Sequence, residues 1–147
     1  ERALAPLQLE TREEFGNIGE WNSPYSNAVS FAWCLYKVNE TGRARALAEK
    51  LMAYTREVEH ASLPINDYGH ALSLLQVVVG DPQGAIATLG RMWDVNALVP
   101  ANFNGLWPHH ADLEDLEDFR QLRSDLQEKL NAERQKLGWP PKALEDI

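Results

Sequence analysis

The chain has 147 residues and a mass of 16.6 kDa, one domain's worth of polypeptide. Its composition, 44% hydrophobic and 24% charged, excludes a disordered, collagenous or disulfide-stapled chain. With 22 acidic against 14 basic residues the formal net charge is −8, so the average surface repels nucleic acid and anionic membrane alike.

Strand signals are nearly absent, and prolines and glycines fall between segments of helical period. Residues 7–15 predict a short helix, and Gly16–Pro24 reads as a loop. The first strong helix is expected over 24–40, entered through Ser23 as cap and Pro24 at the first position. Tyr25, Ala28, Val29, Ala32, Leu35 and Tyr36 form its apolar face, widened by Phe31, Cys34 and Val38. A helix so apolar must be covered on two sides.

Gly42 is expected to break this helix, and a second runs to about His60 with Leu47, Leu51, Tyr54 and Val58 inward. A third is predicted over 65–79, carrying Ile65, Tyr68, Leu72, Leu75 and Val79. Gly80-Asp81-Pro82 is a compact stop-and-start signal: a left-handed glycine, a capping aspartate and a proline at the first helical position. The fourth helix, 82–93, buries Ala85, Ile86, Leu89, Met92 and Trp93. Residues 95–110 have no period but contain Val99, Phe103, Leu106 and Trp107, and are expected to plug the helices. The terminal helical region, 112–137, carries Leu113, Leu116, Phe119, Leu122, Leu126, Leu130 and Leu137, and Gly138-Trp139-Pro140-Pro141 ends it.

No window supplies the basic cluster that phosphate neutralisation requires; the densest, Arg43, Arg45 and Lys50, is interrupted by Glu49. No run reaches the ~18 apolar residues of a spanning helix. The single cysteine, Cys34, permits no internal disulfide, fits a reducing compartment, and reads as a buried, inert thiol. The opening Glu1-Arg2-Ala3 lacks a methionine, which reads as a piece of a longer or processed chain.

Candidate chemistry is thin. His109-His110 with Asp112, Glu114 and Asp115 has metal-ligating side chains, but adjacent histidines point apart and no cysteine lies near; they read as surface histidines beside a helix start whose acidic residues suit the dipole. The carboxylates of 112–118, with leucines at every third position, read as a solvated helix face rather than a glycosidase pair. No phosphate loop, nucleophile elbow or Cys-x-x-Cys occurs. Hence no catalytic residue, metal or cofactor is expected. Of the tryptophans, Trp33 and Trp93 are expected in core or groove, Trp107 and Trp139 on a surface.

The two helix pairs share one plan, with Gly42 and Gly80 taken as equivalent turns 38 residues apart (80 − 42). Two helices per period of that length predict stacked helical hairpins. The glycine-containing turn flanked by small and large apolar positions resembles the tetratricopeptide repeat. The succession of Thr41-Gly42-Arg43-Ala44-Arg45-Ala46, Asp67-Tyr68-Gly69-His70-Ala71, Gly80-Asp81-Pro82-Gln83-Gly84-Ala85-Ile86 and Leu113-Glu114-Asp115-Leu116-Glu117-Asp118-Phe119-Arg120-Gln121-Leu122 is similar to the C-terminal ends of large bacterial regulators, CadC-like winged-helix and adenylate-cyclase-like multidomain proteins. The resemblance covers residues 23–137. It implies an all-α, tetratricopeptide-like domain (an α-solenoid) with flanking helices and one long apolar loop, organised as hairpins 24–60 and 65–93, loop 95–110 and terminal region 112–137.

What the resemblance implies for function is a scaffold or regulatory module without catalysis, binding a protein, a peptide or another domain of its parent chain. The partner-facing groove is expected on the first helix of each pair, through Ser26, Ser30, Trp33 and Lys37, then Asn66, His70, Ser73 and Gln76. Two other readings stand beside it. One is a small-ligand or enzymatic site in the cleft between the hairpins and the 95–110 loop. The other is a structural piece that forms a homodimer through an exposed flank.

Overall fold

A computed structural model of the chain describes residues 24–59, 65–95 and 108–143. The described residues form the helices α1 (Pro24–Lys37), α2 (Thr41–Glu59), α3 (Ile65–Val79), α4 (Pro82–Val95) and α5 (Glu117–Lys136), with a 3-10 turn over Pro108–His110. The fold is all-α, with no strand among the described residues. None of the described helices is long and apolar enough to cross a membrane. The expected helix at 7–15, Ser23, His60 and the apolar residues 99–107 lie outside the described residues.

Each helix packs on its neighbour in sequence from α1 to α4, α1 also meets α3, and α5 closes on α4. Tyr25, Leu51, Leu75, Leu89, Met92, Leu113, Phe119 and Leu126 are the large side chains sealed inside. A polar tie crosses the first hairpin. Thr55 Oγ1 donates to the Leu51 carbonyl at 2.8 Å, so the Tyr25 hydroxyl donates to Thr55 Oγ1 at 2.7 Å. Burial pushes the Tyr25 phenol up to about 12, so it stays a donor throughout the physiological range.

Three helices stop in the same way. Gly80 N–H bonds the Val77 carbonyl and Asp81 N–H the Gln76 carbonyl, with Gly80 at φ 85°. This doubled bond around a left-handed residue is the Schellman stop. Asn39 (φ 63°) and Gly138 (φ 73°) repeat it at the ends of α1 and α5. At the α3 stop, Arg45 of α2 donates to the Val79 carbonyl at 3.0 Å, so a cation from the first hairpin satisfies an orphan acceptor of the second. Asp81 then caps α4 through the Gly84 N–H at 2.9 Å, as the Gly-Asp-Pro signal predicts.

The first turn differs from expectation. Gly42 lies inside α2, and the left-handed residue is Asn39, whose short amide tolerates αL where most side chains do not. α1 accordingly ends at Lys37 rather than Glu40. The equivalent stops, Asn39 and Gly80, are 41 residues apart (80 − 39) rather than 38. At that interval the burial pattern repeats. Ala28 and Ala32 correspond to Gly69 and Ser73, and Ala44, Ala48 and Leu51 to Ala85, Leu89 and Met92, all of them buried.

Two side chains placed on the inner face of α1 are outside it. Cys34 is exposed and Val38 is 67% exposed. They share a helix row with Asn27 and Ser30, both exposed, whereas Trp33, expected in core or groove, is 8% exposed.

Backbone conformation and local space predict contrasting outcomes at four positions, Asn39 and three glycines, read by urea unfolding followed by circular dichroism. Gly80→Val and Asn39→Val force a β-branched residue into the left-handed region and cost roughly 1 kcal/mol or more. Gly42→Ala, where an added Cβ meets nothing within 4 Å, stabilises by about 0.5–1 kcal/mol. Gly84→Ala yields no such gain, because its Cβ runs into the Asp81 carboxylate and displaces a cap worth about 1 kcal/mol.

Candidate functional site

The terminal region does not enter as a helix at residue 112. From Pro108 to Leu116 the chain makes successive three-residue turns: Asp112 N–H to the His109 carbonyl, Leu113 to His110, Leu116 to Leu113. The i+3 spacing of Leu113, Leu116 and Phe119 is thus first a 3-10 period, and the α-helix begins only at Glu117. Leu116 caps it with extended backbone and no side-chain bond. Arg120 reaches back instead, to the Glu114 and Asp115 carbonyls and, at 2.6 Å, to the Glu117 carboxylate.

This turn segment lies on the α1–α3 face. His109 and His110 are 0% and 6% exposed, so the expectation of surface histidines is wrong; the carboxylates of 112–118 are exposed as expected, with Leu113 sealed between them, but up to Leu116 they stand on turns and not on a helix. Burial beside three apolar elements overrides the local polarity of Pro-His-His-Ala-Asp. His109 sits edge-on to Trp33 of α1, ring centroids 6.4 Å apart, and 4.6 Å from the ring of His110. His110 in turn meets His70 of α3 at 6.2 Å and Phe119 of α5 at 5.7 Å. At the rim, Lys37 Nζ contacts both carboxylate oxygens of Asp112, at 2.7 and 2.9 Å, and lies 4.6 Å from the Trp33 ring centre.

Ser73 fixes the chemistry of His109. Its hydroxyl donates to the His70 carbonyl at 2.9 Å, which uses its only proton. The 2.9 Å contact between Ser73 Oγ and His109 Nε2 is therefore donated by the imidazole. A serine nucleophile needs the opposite direction, with the imidazole accepting the hydroxyl proton. Ser73 is also sealed from solvent, so the pair acts as a tether.

All three imidazoles are held neutral. Burial lowers His70 to about 4. Burial first, then His70 and Arg123, lowers His110 to about 4. Burial, followed by His110 and His70, drives His109 far below the usual imidazole range. Each shift has the sign of desolvation, which disfavours the cation.

Of the groove residues expected from sequence, Trp33, Lys37, His70 and Ser73 meet around this segment. Ser26 and Ser30 do not: Ser30 is exposed and donates to the Ser26 carbonyl at 3.0 Å. Gln76 turns to α4, accepting from Thr88 Oγ1 at 2.8 Å. The side chain of Asn66 lies outside the described residues. His109, His110 and Asp112, absent from the expected set, supply the other half of the contact.

Among the described residues no group of three or more His, Cys, Asp or Glu is placed to hold a metal ion. A separate open groove of about 400 Å³ runs between α4 and α5, lined by Gly90, Trp93, Leu122 and Leu126, with Lys129 bonded to Asp94 at 2.7 Å. Trp139 packs on its own helix, over the Arg134 guanidinium at 5.5 Å, and stays 55% exposed. Comparison with protein-family models, with curated proteins and with solved structures finds no match to this chain.

The tether predicts a contrast between two serines. Ser73→Ala removes the acceptor of the His109 N–H and costs roughly 1–3 kcal/mol. Ser30→Ala on the exposed row changes stability by less than about 0.5 kcal/mol. Equal urea midpoints for the two variants would contradict the tether.

Proposed function

We propose that this domain is an interaction module without catalytic activity of its own, built as tetratricopeptide-like stacked hairpins, whose α1–α3 face grips a non-helical chain segment. One observation carries the reading: residues 109–112 of the chain itself rest on that face. The contacts are of the kind that recognises a peptide. An aromatic plate comes from Trp33, a hydroxyl from Ser73, and a cation from Lys37 that takes a carboxylate bidentately. The 41-residue recurrence of small buried positions supports stacking of like units. The occupant is intramolecular here, and a protein or peptide of like chemistry, an acidic residue three positions after an imidazole, would compete for the same face.

Supplying that segment in trans tests the reading. A labelled peptide copying residues 108–119 is titrated by fluorescence anisotropy into the full chain, its Asp112→Ala variant, and the Lys37→Ala, Asp112→Ala double variant. Removing the internal carboxylate weakens the resident segment, so the peptide binds Asp112→Ala roughly fivefold or more tighter than the parent chain, equivalent to about 1 kcal/mol. The double variant loses that gain. Absence of binding by the Asp112→Ala variant, or binding indifferent to Lys37, would refute it.

A further inference from the structure

We propose that His70, His109 and His110 form an acid-operated latch: as neutral rings they hold the 108–119 segment on the α1–α3 face, and mild acid releases it while the hairpins stay folded. The proposal rests on the reading that this face grips that segment, and it adds the regulation.

Geometry carries it. The three rings come from two elements that must part if the segment leaves, His70 from α3 and His109 and His110 from the turn. Their centroids form a chain of 4.6 and 6.2 Å steps. Two cationic rings at such separations in a buried site repel each other with little screening. The surrounding charges do not offset this. On the α1 side Lys37 is a cation and is committed to Asp112. On the α5 side Arg123 is a cation, 3.8 Å from Glu114, and it already opposes a proton on His110. Asp112 and Glu114, the carboxylates paired with these two cations, thus face cations of their own. Ser73 completes the arrangement, since its hydroxyl proton is fixed on the His70 carbonyl and its oxygen accepts from His109 Nε2–H.

The direction follows from linkage. In the released state the imidazoles return to the ordinary value near 6.5, whereas in the docked state burial holds His70 and His110 at about 4 and His109 lower. The docked state is therefore fully favoured above about 6.5 and loses ground as pH falls toward 4. Each histidine shifts the equilibrium by about tenfold per pH unit in that window. Leu51, Leu75, Leu89 and Met92 of the hairpins are sealed and carry no titrating group; Leu113 and Phe119 of the segment join the same buried cluster from its edge.

Hydrogen exchange with mass-spectrometric readout on the full chain, between pH 7.5 and 5.5 and corrected for the intrinsic pH dependence of exchange, tests this. Protection over residues 108–119 should fall at least tenfold, while peptides from α2 and α4 keep theirs. His70→Gln and His110→Gln should each flatten the dependence. If a variant fails to fold, the imidazole resonances of the parent chain decide: each buried ring should titrate below about 5, and rings titrating near 6.5 in the docked chain would overturn the latch. Segment protection that is missing already at pH 7.5 would overturn the docking itself. Protection unchanged at pH 5.5, or lost together with α2 and α4, would overturn the latch and leave the docking in place.

Discussion

Helices α1 and α3 are apolar on more than one side, and that is the constraint around which the molecule is built. α2 and α4 each cover one flank, contributing Ala44, Ala48 and Leu51 from one and Ala85, Leu89 and Met92 from the other. A second flank remains, holding Trp33, His70 and Ser73. Leaving an indole and its apolar neighbours in water forfeits roughly 25 cal/mol per Å², and a third pair of helices to stack on them is not among the described residues. The chain resolves this with its own segment after residue 108. The tight three-residue turns bring His109, His110 and Leu113 inward at short intervals, and α5 then runs off to close on α4.

Covering a mixed face demands a mixed cover. A purely apolar segment would leave the buried Ser73 oxygen without its N–H donor and the Lys37 ammonium without its carboxylate. Imidazole answers the first because, neutral, it offers a flat ring to Trp33 and Phe119 while still donating one N–H. Asp112, three residues on, answers the second. The cost is that three titratable rings are kept out of water, which ties the cover to the protonation state of its own side chains. A tether, a cover and a group with unequal proton affinity inside and outside are thus the same few residues.

The tight stops explain why the hairpins tolerate this. Asn39 and Gly80 reverse the chain within three residues by adopting positive φ, and each following helix starts at once. Arg45 bonds the α3 terminus across the hairpins, so the two pairs are coupled through a backbone carbonyl as well as through packing. The 108–119 segment adds Leu113 and Phe119 to the buried cluster and holds the α1–α3 face through polar and aromatic contacts besides.

Much of this was written into the sequence. The helical type of the described segments follows from the 3.6-residue period, and Gly80-Asp81-Pro82 marks its stop and start because the left-handed residue, the cap and the missing N–H are each local demands. Gly42 misled for a local reason too: glycine signals a turn, yet Asn39 can take the same conformation, and a glycine near a helix start is tolerated. The face of α1 was legible to within one row, which is the margin between Trp33 inside and Cys34 outside. What periodicity could not place was the cover. Pro-His-His-Ala-Asp is polar, short and without helical period, and its burial depends on a face built by residues 36 to 76 positions earlier in the chain. Local propensity determined that these segments are helical and, at Gly80-Asp81-Pro82, where one stops and the next starts. Only tertiary packing decided that two histidines from a turn would leave water, because the free energy that buries them comes from Trp33, His70, Ser73 and Phe119, whose proximity the sequence does not state.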